Sequence, residues 1–137
     1  MKMINSIFII DDDAITVFGI KKLLATVVTC NNITNFSNGK LAMEHFENLG
    51  NDNELPDIIF LDLNMPIMDG WEFLEAFIKL PIKQKITINI VTSSINSLDR
   101  DKSNTFKNRT HHKITYNTKP LNKDEIQNIT NPAKQQH

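Results

Sequence analysis

Three consecutive aspartates, Asp11, Asp12 and Asp13, directly follow the apolar run at residues 7–10. Two unit charges about 4 Å apart repel by roughly 4 kcal/mol at an effective dielectric constant of about 20, and an adjoining apolar strand makes them harder to solvate. A divalent cation such as Mg²⁺ prefers hard oxygen ligands, so a cluster of Asp11, Asp12 and Asp62 would bind the ion and lose this repulsion. Asp13 is better placed to cap the first helix.

A hydroxyl and an ammonium group stand in comparable positions later in the chain. Thr92 ends the apolar run INIVT, and Lys119 ends the stretch ITYNTK, shortly after the fifth β-prone run. A carboxylate can attack phosphorus to form an aspartyl phosphate, while a metal and a cation neutralise charge on the phosphoryl oxygens. Asp62 is the candidate nucleophile, Lys119 supplies the cation, and Thr92 can donate a hydrogen bond to a phosphoryl oxygen.

Five short β-prone runs separate segments with helical spacing, and this alternation predicts the fold class. The runs are residues 7–10, 33–36, 58–61, 86–91 and 114–116, and the first helix is predicted over residues 14–27. Parallel neighbours need crossover connections, so the pattern predicts a doubly wound α/β domain whose parallel sheet carries helices on both faces. Ligands bind at the carboxyl ends of such strands, where the acids, the hydroxyl and the ammonium converge.

Length and composition limit the remaining possibilities. The chain has 137 residues, 40% of them hydrophobic, which predicts one domain with its core at about residues 5–130 and a polar tail at 131–137. The net charge of −1 argues against nucleic-acid or anionic membrane partners, and no apolar run is long enough to span a bilayer. We therefore expect a cytoplasmic protein. The single Cys30 is expected to be a small buried hydrophobe.

Four stretches of this sequence resemble the receiver domains of two-component response regulators. They are IIDDD at 9–13, DIIFLDLNMPIMDGWEFL at 57–74, IVTSS at 90–94 and YNTKPL at 116–121. Their order and approximate separation match that family, and the pattern D-x-x-M-P-x-M-D-G beginning at Asp62 is highly specific. The resemblance implies a flavodoxin-like sheet of five parallel strands in the order 2-1-3-4-5.

The resemblance also implies a role for each residue of the acidic cluster. Asp62 would be the phosphoacceptor, Thr92 and Tyr116 the switch pair that moves on phosphorylation, and Lys119 the counter-charge, joined to Pro120 by a cis bond. Mg²⁺ would be the cofactor, held by Asp11, Asp12, Asp62 and the backbone carbonyl of Asn64. The domain would catalyse only its own phosphoryl transfer and dephosphorylation.

The same resemblance implies the kinds of partner. A sensor histidine kinase or a phosphotransfer protein would donate the phosphoryl group. No DNA-binding region follows in the sequence, so we expect a stand-alone receiver that signals to an unknown downstream protein through its fourth helix, fifth strand and fifth helix. The polar segment at residues 93–113 is longer than usual, its helix is anchored only by Ile95, Leu98 and Phe106, and the last helix is short.

Two alternatives remain open from the sequence. In a haloacid-dehalogenase-like phosphatase, Asp11 would be the nucleophile and Asp13 the acid/base, but the run DLNMPIMDG would then have no role. A receiver fold that binds partners without phosphorylation is disfavoured because every pocket residue is present. The adjacent His111 and His112 lie in a polar loop and are expected to be exposed.

Overall fold

The computed structural model describes residues 2–49 and 55–131, and in this part of the chain five strands alternate with five helices. The strands are β1 (Lys2–Ile10), β2 (Val28–Phe36), β3 (Ile58–Leu61), β4 (Thr87–Thr92) and β5 (Lys113–Thr118). The helices are α1 (Ala14–Val27), α2 (Gly39–Glu47), α3 (Gly70–Phe77), α4 (Ser97–Lys107) and α5 (Lys123–Thr130).

All strands are parallel, and their order across the sheet is β2-β1-β3-β4-β5. One apolar core lies between the sheet and α2, α3 and α4, and a second lies between the sheet and α1 and α5. The predicted fold class, strand order and two-faced burial are confirmed. Because Ile10 pairs with Leu61, the residues that follow these strands, Asp11 and Asp62, emerge side by side.

The first two strands are longer than predicted, with nine residues each. The sequence signal missed their first halves because exposed polar residues such as Asn5 and Asn31 interrupt the apolar runs there. β1 pairs with β3 only from Ile7 onward, and just before that point Asp57 provides the hydrogen-bond acceptor instead. Its carboxylate accepts hydrogen bonds from the backbone amides of Asn5 at 3.1 Å and Ser6 at 3.2 Å.

Helix α4 is thinly packed, as its composition predicted, but two of its three predicted anchors are wrong. Ser103 and Phe106 are the buried residues of this helix. Ile95 precedes the N-cap Asn96 and is 90% exposed, and Leu98 lies in the first turn of the helix and is 71% exposed. Helix α5 is short, as expected, and begins with a reciprocal capping box between Asn122 and Glu125.

Two further predictions need correction. His112 is buried rather than exposed, because the start of β5 carries it beneath the end of α3; its Nδ1 accepts the amide of Ile86 at 3.0 Å, and its ring lies 5.2 Å from that of Phe77. Cys30 is only half-buried, since it lies on the edge strand β2, where its thiol donates to the carbonyl of Asn32 at 3.2 Å.

Two predictions concern membrane spans and the polar tail, and the described residues are 2–49 and 55–131. Among these residues, no helix combines the length and apolarity needed to cross a bilayer. Residues 132–137 of the predicted polar tail lie outside the described residues.

Candidate functional site

Three charged side chains meet at the carboxyl edge of the sheet. The Nζ atom of Lys119 lies 3.2 Å from Oδ2 of Asp11 and 3.5 Å from Oδ1 of Asp62. Asp11 is 2% exposed and Asp62 is 5% exposed, so both carboxylates are removed from bulk water. Asp11, Asp62 and Lys119 follow three different strands in the sequence, and the structure brings them into one cluster.

Each of these residues is fixed by a backbone hydrogen bond that continues the sheet past its strand. The amide of Asp11 donates to Phe36 at 2.9 Å, that of Asp62 to Ile10 at 2.9 Å, and that of Lys119 to Thr92 at 2.8 Å. The bond between Lys119 and Pro120 is cis, as the family resemblance implied. Side chains held on extended strands are well suited to a site that needs accurate distances.

Asp12 completes a group of three carboxylates. One oxygen from each of Asp11, Asp12 and Asp62 can be chosen so that all three lie within 4.8 Å of one another. Asp12 is exposed, so it closes the solvent side of the group. Three carboxylates facing one ammonium leave two negative charges in excess, and hard oxygen donors of this kind fit a divalent cation such as Mg²⁺.

The electrostatics of the cluster agree with this. Burial raises the pKa of Asp11, and the neighbouring Asp62 raises it further against the opposing effects of the Asp13 amide and Lys119. Burial likewise raises the pKa of Asp62, although Lys119 opposes it. Burial would lower the pKa of Lys119, but the two carboxylates outweigh it and raise that pKa. The Lys119 ammonium therefore stays charged, but its single positive charge does not balance the negative charge of the clustered carboxylates.

Asp13 serves the cap that its position predicted. Its Oδ1 accepts the amide of Ile15 at 3.0 Å, and its Oδ2 accepts the hydroxyl of Thr16 at 2.9 Å. The amide of Asp13 itself donates to Oδ1 of Asp11 at 2.9 Å. Both carboxylate oxygens of Asp13 are thus used at the start of α1.

The loop that follows Asp62 is tightly constrained. The amide of Gly70 donates to the carbonyl of Leu63 at 3.0 Å, and a Cβ on Gly70 would collide with the carbonyl oxygen of Asp62. Ile67 has a φ of 71°, and the amide of Met68 donates to Pro66 at 2.8 Å, which together form a γ-turn. A β-branched residue in this region costs about 1–3 kcal/mol, so the surroundings must hold the loop.

The predicted switch pair is connected through Ser94. Thr92 is fully buried, and its Oγ1 accepts the amide of Ser94 at 3.1 Å. The hydroxyl of Tyr116 donates to the carbonyl of Ser94 at 3.1 Å, and the guanidinium of Arg100 lies 4.8 Å from the centre of the Tyr116 ring. Sequence reasoning missed Ser94 and Arg100, and the only signal was their closeness to Thr92 and to the start of α4.

The fold and this site define a class of protein: a doubly wound domain with a carboxylate poised beside a cation and a metal-binding group of acids, which accepts a phosphoryl group. Comparison with known proteins agrees, since the family model for the response regulator receiver domain matches residues 7–131. The chain belongs to this family and is a phospho-accepting signalling domain of two-component systems. The phosphatase alternative with Asp11 as nucleophile is not supported.

Individual relatives give the extent of the similarity. The chain is 32% identical to the nitrate/nitrite response regulator protein NarL of Escherichia coli K12 over 88 residues, which are 64% of this chain and 38% of NarL. It therefore spans well under half the length of this curated relative. A two-component response regulator from Cytophaga hutchinsonii has a TM-score of 0.81 at 26% identity, with 98% of this chain and 100% of that chain covered.

A further solved relative bears on the metal. The response regulator Rcp1, in its Mn²⁺-bound form, has a TM-score of 0.67 at 26% identity, with 91% of this chain and 88% of that chain covered. Together with the three clustered carboxylates, this relative indicates divalent metal binding.

Proposed function

We propose that this domain takes a phosphoryl group on Asp62 in a Mg²⁺-dependent reaction, with Asp11, Asp12, Asp62 and the backbone carbonyl of Asn64 as metal ligands. The observation that carries the proposal is the position of Asp62, a buried carboxylate 3.5 Å from the ammonium of Lys119 and grouped with two further acids. When bound, Mg²⁺ would supply the positive charge that a transferring phosphoryl group needs.

The reaction needs only one bond exchange. A carboxylate oxygen of Asp62 attacks the phosphorus of the donor, the bond between phosphorus and the donor's leaving atom breaks, and the leaving atom keeps the electron pair. Lys119 stays protonated throughout, because the two carboxylates raise its pKa, and its ammonium balances the new phosphoryl charge. Thr92 accepts from Ser94 through Oγ1, which leaves its hydroxyl proton available to a phosphoryl oxygen.

The signal would leave the site through Thr92 and Tyr116. If the Thr92 hydroxyl moves to the phosphoryl group, the amide of Ser94 loses its acceptor and the loop before α4 must rearrange. The Tyr116 hydroxyl is bonded to the carbonyl of the same Ser94, so its ring follows the loop. A local change of contacts thereby biases a two-state arrangement, as a switch requires.

The geometry of Asp13 favours this function over hydrolysis. In the phosphatase alternative Asp13 would carry a proton to and from the substrate. Both of its oxygens instead accept bonds from Ile15 and Thr16 at the start of α1. We propose that Asp13 only caps the helix, and that any dephosphorylation is the domain's own reaction at Asp62.

The proposed phosphoryl donor is a sensor histidine kinase or a phosphotransfer protein. An apolar groove of about 230 Å³ lies beside the acidic cluster, and its wall includes the Lys119 side chain. The apolar residues that line it include Ile15, Ile20, Leu23, Pro120 and Leu121. Ile15 is 82% exposed. We propose that a helix bearing the phosphohistidine docks here.

This docking can be separated from the chemistry. Ile15→Asp is expected to slow transfer from a phosphorylated histidine phosphotransfer protein, because it places a charge in the apolar groove. Transfer from phosphoramidate, a small donor with the same phosphorus–nitrogen bond, should be unchanged. Equal effects on both donors would contradict the docking proposal.

Three further expectations stay predictions: an unknown downstream protein target, a cytoplasmic location, and the lack of nucleic-acid and membrane partners.

The test of the acceptor is site mapping after incubation with acetyl phosphate and Mg²⁺. Borohydride reduces an aspartyl phosphate, so peptide mass spectrometry then identifies the modified residue. We expect Asp62 alone to be modified, no modification when Mg²⁺ is chelated, and none in Asp62→Asn. The control Asp101→Asn, an exposed residue on α4, should be modified like the wild type. Modification of Asp11, or no adduct at all, would overturn the proposal.

A further inference from the structure

The strained γ-turn at Ile67 lacks an anchor of its own. Its side chain is 74% exposed, so packing does not hold the turn in place. A β-branched residue with φ of 71° persists only where neighbouring structure imposes it. The turn lies in the 63–69 loop, which joins Asp62 to the start of α3 and contains Asn64, so whatever holds the turn also fixes the approach to the acidic cluster.

Gly70 joins the two ends of this loop, and the start of α2 supports the turn itself at Met68. The amide of Gly39, the first residue of α2, donates to the carbonyl of Met68 at 3.2 Å. The first amides of a helix have no partner within it, so this one is free to bind another element. The N-cap Asn38 is buried, and its side chain accepts the amide of Leu41 at 2.9 Å, which fixes the first turn of α2.

The approach is so close that it excludes a side chain. A Cβ on Gly39 would lie 2.9 Å from the carbonyl oxygen of Met68, 3.0 Å from Met68 Cγ and 3.2 Å from Phe73 Cβ. The nearest of these atoms belongs to the backbone, which cannot move aside as a flexible side chain can. A Cβ on Gly19, by contrast, would have nothing within 4 Å.

We infer that Gly39 is a positioning residue for the acidic site: the first turn of α2 holds the carbonyl of Met68, and through it the 63–69 loop, so that Asp62 and the Asn64 carbonyl keep the spacing that metal binding requires. This inference rests on the proposed function. Any side chain at Gly39 displaces Met68, and the displacement passes along the short loop to the metal ligands.

The test compares two identical changes at helical glycines. Gly39→Ala is expected to weaken Mg²⁺ binding by about tenfold, the size of effect seen when residues that orient metal ligands are changed. It should slow phosphorylation by acetyl phosphate at subsaturating Mg²⁺ and restore it when Mg²⁺ is raised. Gly19→Ala should leave both unchanged. Mg²⁺ affinity is read from the fluorescence of Trp71, the single tryptophan, or by calorimetry.

A loss of stability alone does not produce this pattern. A variant that is less stable but still fully folded binds Mg²⁺ with the wild-type dissociation constant. Wild-type affinity in folded Gly39→Ala would therefore overturn the inference, while the proposed function would stand as long as the wild-type protein is phosphorylated on Asp62. A wild-type protein that fails to bind Mg²⁺ would overturn the function instead.

Two further variants keep the test decisive. Ile67→Gly in the Gly39→Ala background should recover part of the lost affinity, because glycine adopts a positive φ without strain. If Gly39→Ala does not fold, Asn38→Ala decides, since it loosens the first turn of α2 without adding volume. Weaker Mg²⁺ binding by Asn38→Ala supports the inference, and unchanged binding overturns it.

Discussion

The carboxyl edge of the sheet and helix α4 are built in opposite ways. At the edge, Asp11, Asp62 and Lys119 are each fixed by a backbone bond from a neighbouring strand, and their side chains are bonded to one another. Helix α4 is held to the sheet by the buried residues Ser103 and Phe106. The reacting groups are therefore held in place by the sheet, whereas α4 can move with the loss of few buried contacts.

Removal of the main anchor of α4 should have the largest effect on stability. Phe106 is 1% exposed, stacks on Trp71 with ring centres 5.6 Å apart, and lies under the Arg109 guanidinium. Phe106→Ala should lower the free energy of unfolding by about 3–5 kcal/mol. Urea titration measures this, and Leu98→Ala on the exposed side of the same helix should change it by less than about 0.5 kcal/mol.

The response of the metal site separates the two regions further. If Phe106→Ala remains folded, its Mg²⁺ affinity should match that of the wild type, because the carboxylates do not depend on α4. A large loss of Mg²⁺ affinity in this variant would mean that α4 helps to hold the site, against the proposed division.

The next largest effect comes from His112, at the opposite end of β5 from the site. Burial, together with the neighbouring His111, lowers its pKa from 6.5 to about 4. His112 therefore binds a proton below about pH 6.5 in the unfolded chain but only below about pH 4 in the folded chain. Stability from this group is complete above pH 6.5 and falls by up to about 3 kcal/mol as the pH drops to 4.

The acidic cluster titrates with the opposite sign, so the effect of His112 is read as a difference between variants. The raised pKa values of Asp11 and Asp62 favour folding as the pH falls. His112→Asn keeps an acceptor for the Ile86 amide but cannot be protonated. Urea titrations between pH 7 and pH 4 should show less acid destabilisation in His112→Asn than in the wild type. In His111→Asn, which removes only the neighbouring charge and leaves His112 buried, the acid destabilisation should fall by a smaller amount. Parallel pH profiles would refute the assignment.

Mg²⁺ should stabilise the edge of the sheet by a smaller amount. A ligand at ten times its dissociation constant adds about 1.4 kcal/mol to stability, which is roughly 4 °C in melting temperature for a domain of this size. The shift should be absent in Asp12→Ala, which should itself be at least as stable as the wild type without metal, because it removes one repelling charge. A melting temperature that ignores millimolar Mg²⁺ would count against the site.

The smallest expected change in stability concerns Ser103, on the buried side of α4. The hydroxyl of Ser103 is buried and has no hydrogen-bond partner among the described residues. Ser103→Ala removes an unsatisfied polar group and should raise the free energy of unfolding by about 1 kcal/mol. The same change at Ser97, which is exposed, should raise it less, and chemical denaturation of the pair decides.

The same comparison shows what the sequence could predict. The carboxyl ends of β1, β3 and β4 are buried and consist of apolar runs, so the ends of these strands, and with them Asp11, Asp62 and Thr92, were predictable. Lys119 follows the half-buried edge strand β5 and was found from its position shortly after the run at 114–116. The bounds of α1 were predicted because Asp13 caps it and a regular apolar face follows. Motif spacing was informative here because extended strands convert sequence position directly into position at the edge of the sheet.

Around α4 the sequence was less informative for a physical reason. A helix with few apolar residues does not reveal which of them faces the sheet, so Ile95 and Leu98 were wrongly taken as anchors. The burial of His112 and the bond between Tyr116 and the Ser94 carbonyl depend on how α3, α4 and β5 pack together. Contacts of this kind are set by tertiary packing rather than by local pattern.

A phosphoryl group at the carboxyl edge of the sheet should change the structure of residues 93–113, which include the thinly packed α4. Amide hydrogen exchange tests it with and without Mg²⁺ and beryllofluoride, an unreactive mimic of the phosphoryl group, with binding of the mimic verified by Trp71 fluorescence. We predict altered protection in residues 93–113 and near Tyr116, and little change along α2. Unchanged exchange in residues 93–113 with the mimic bound would contradict the account.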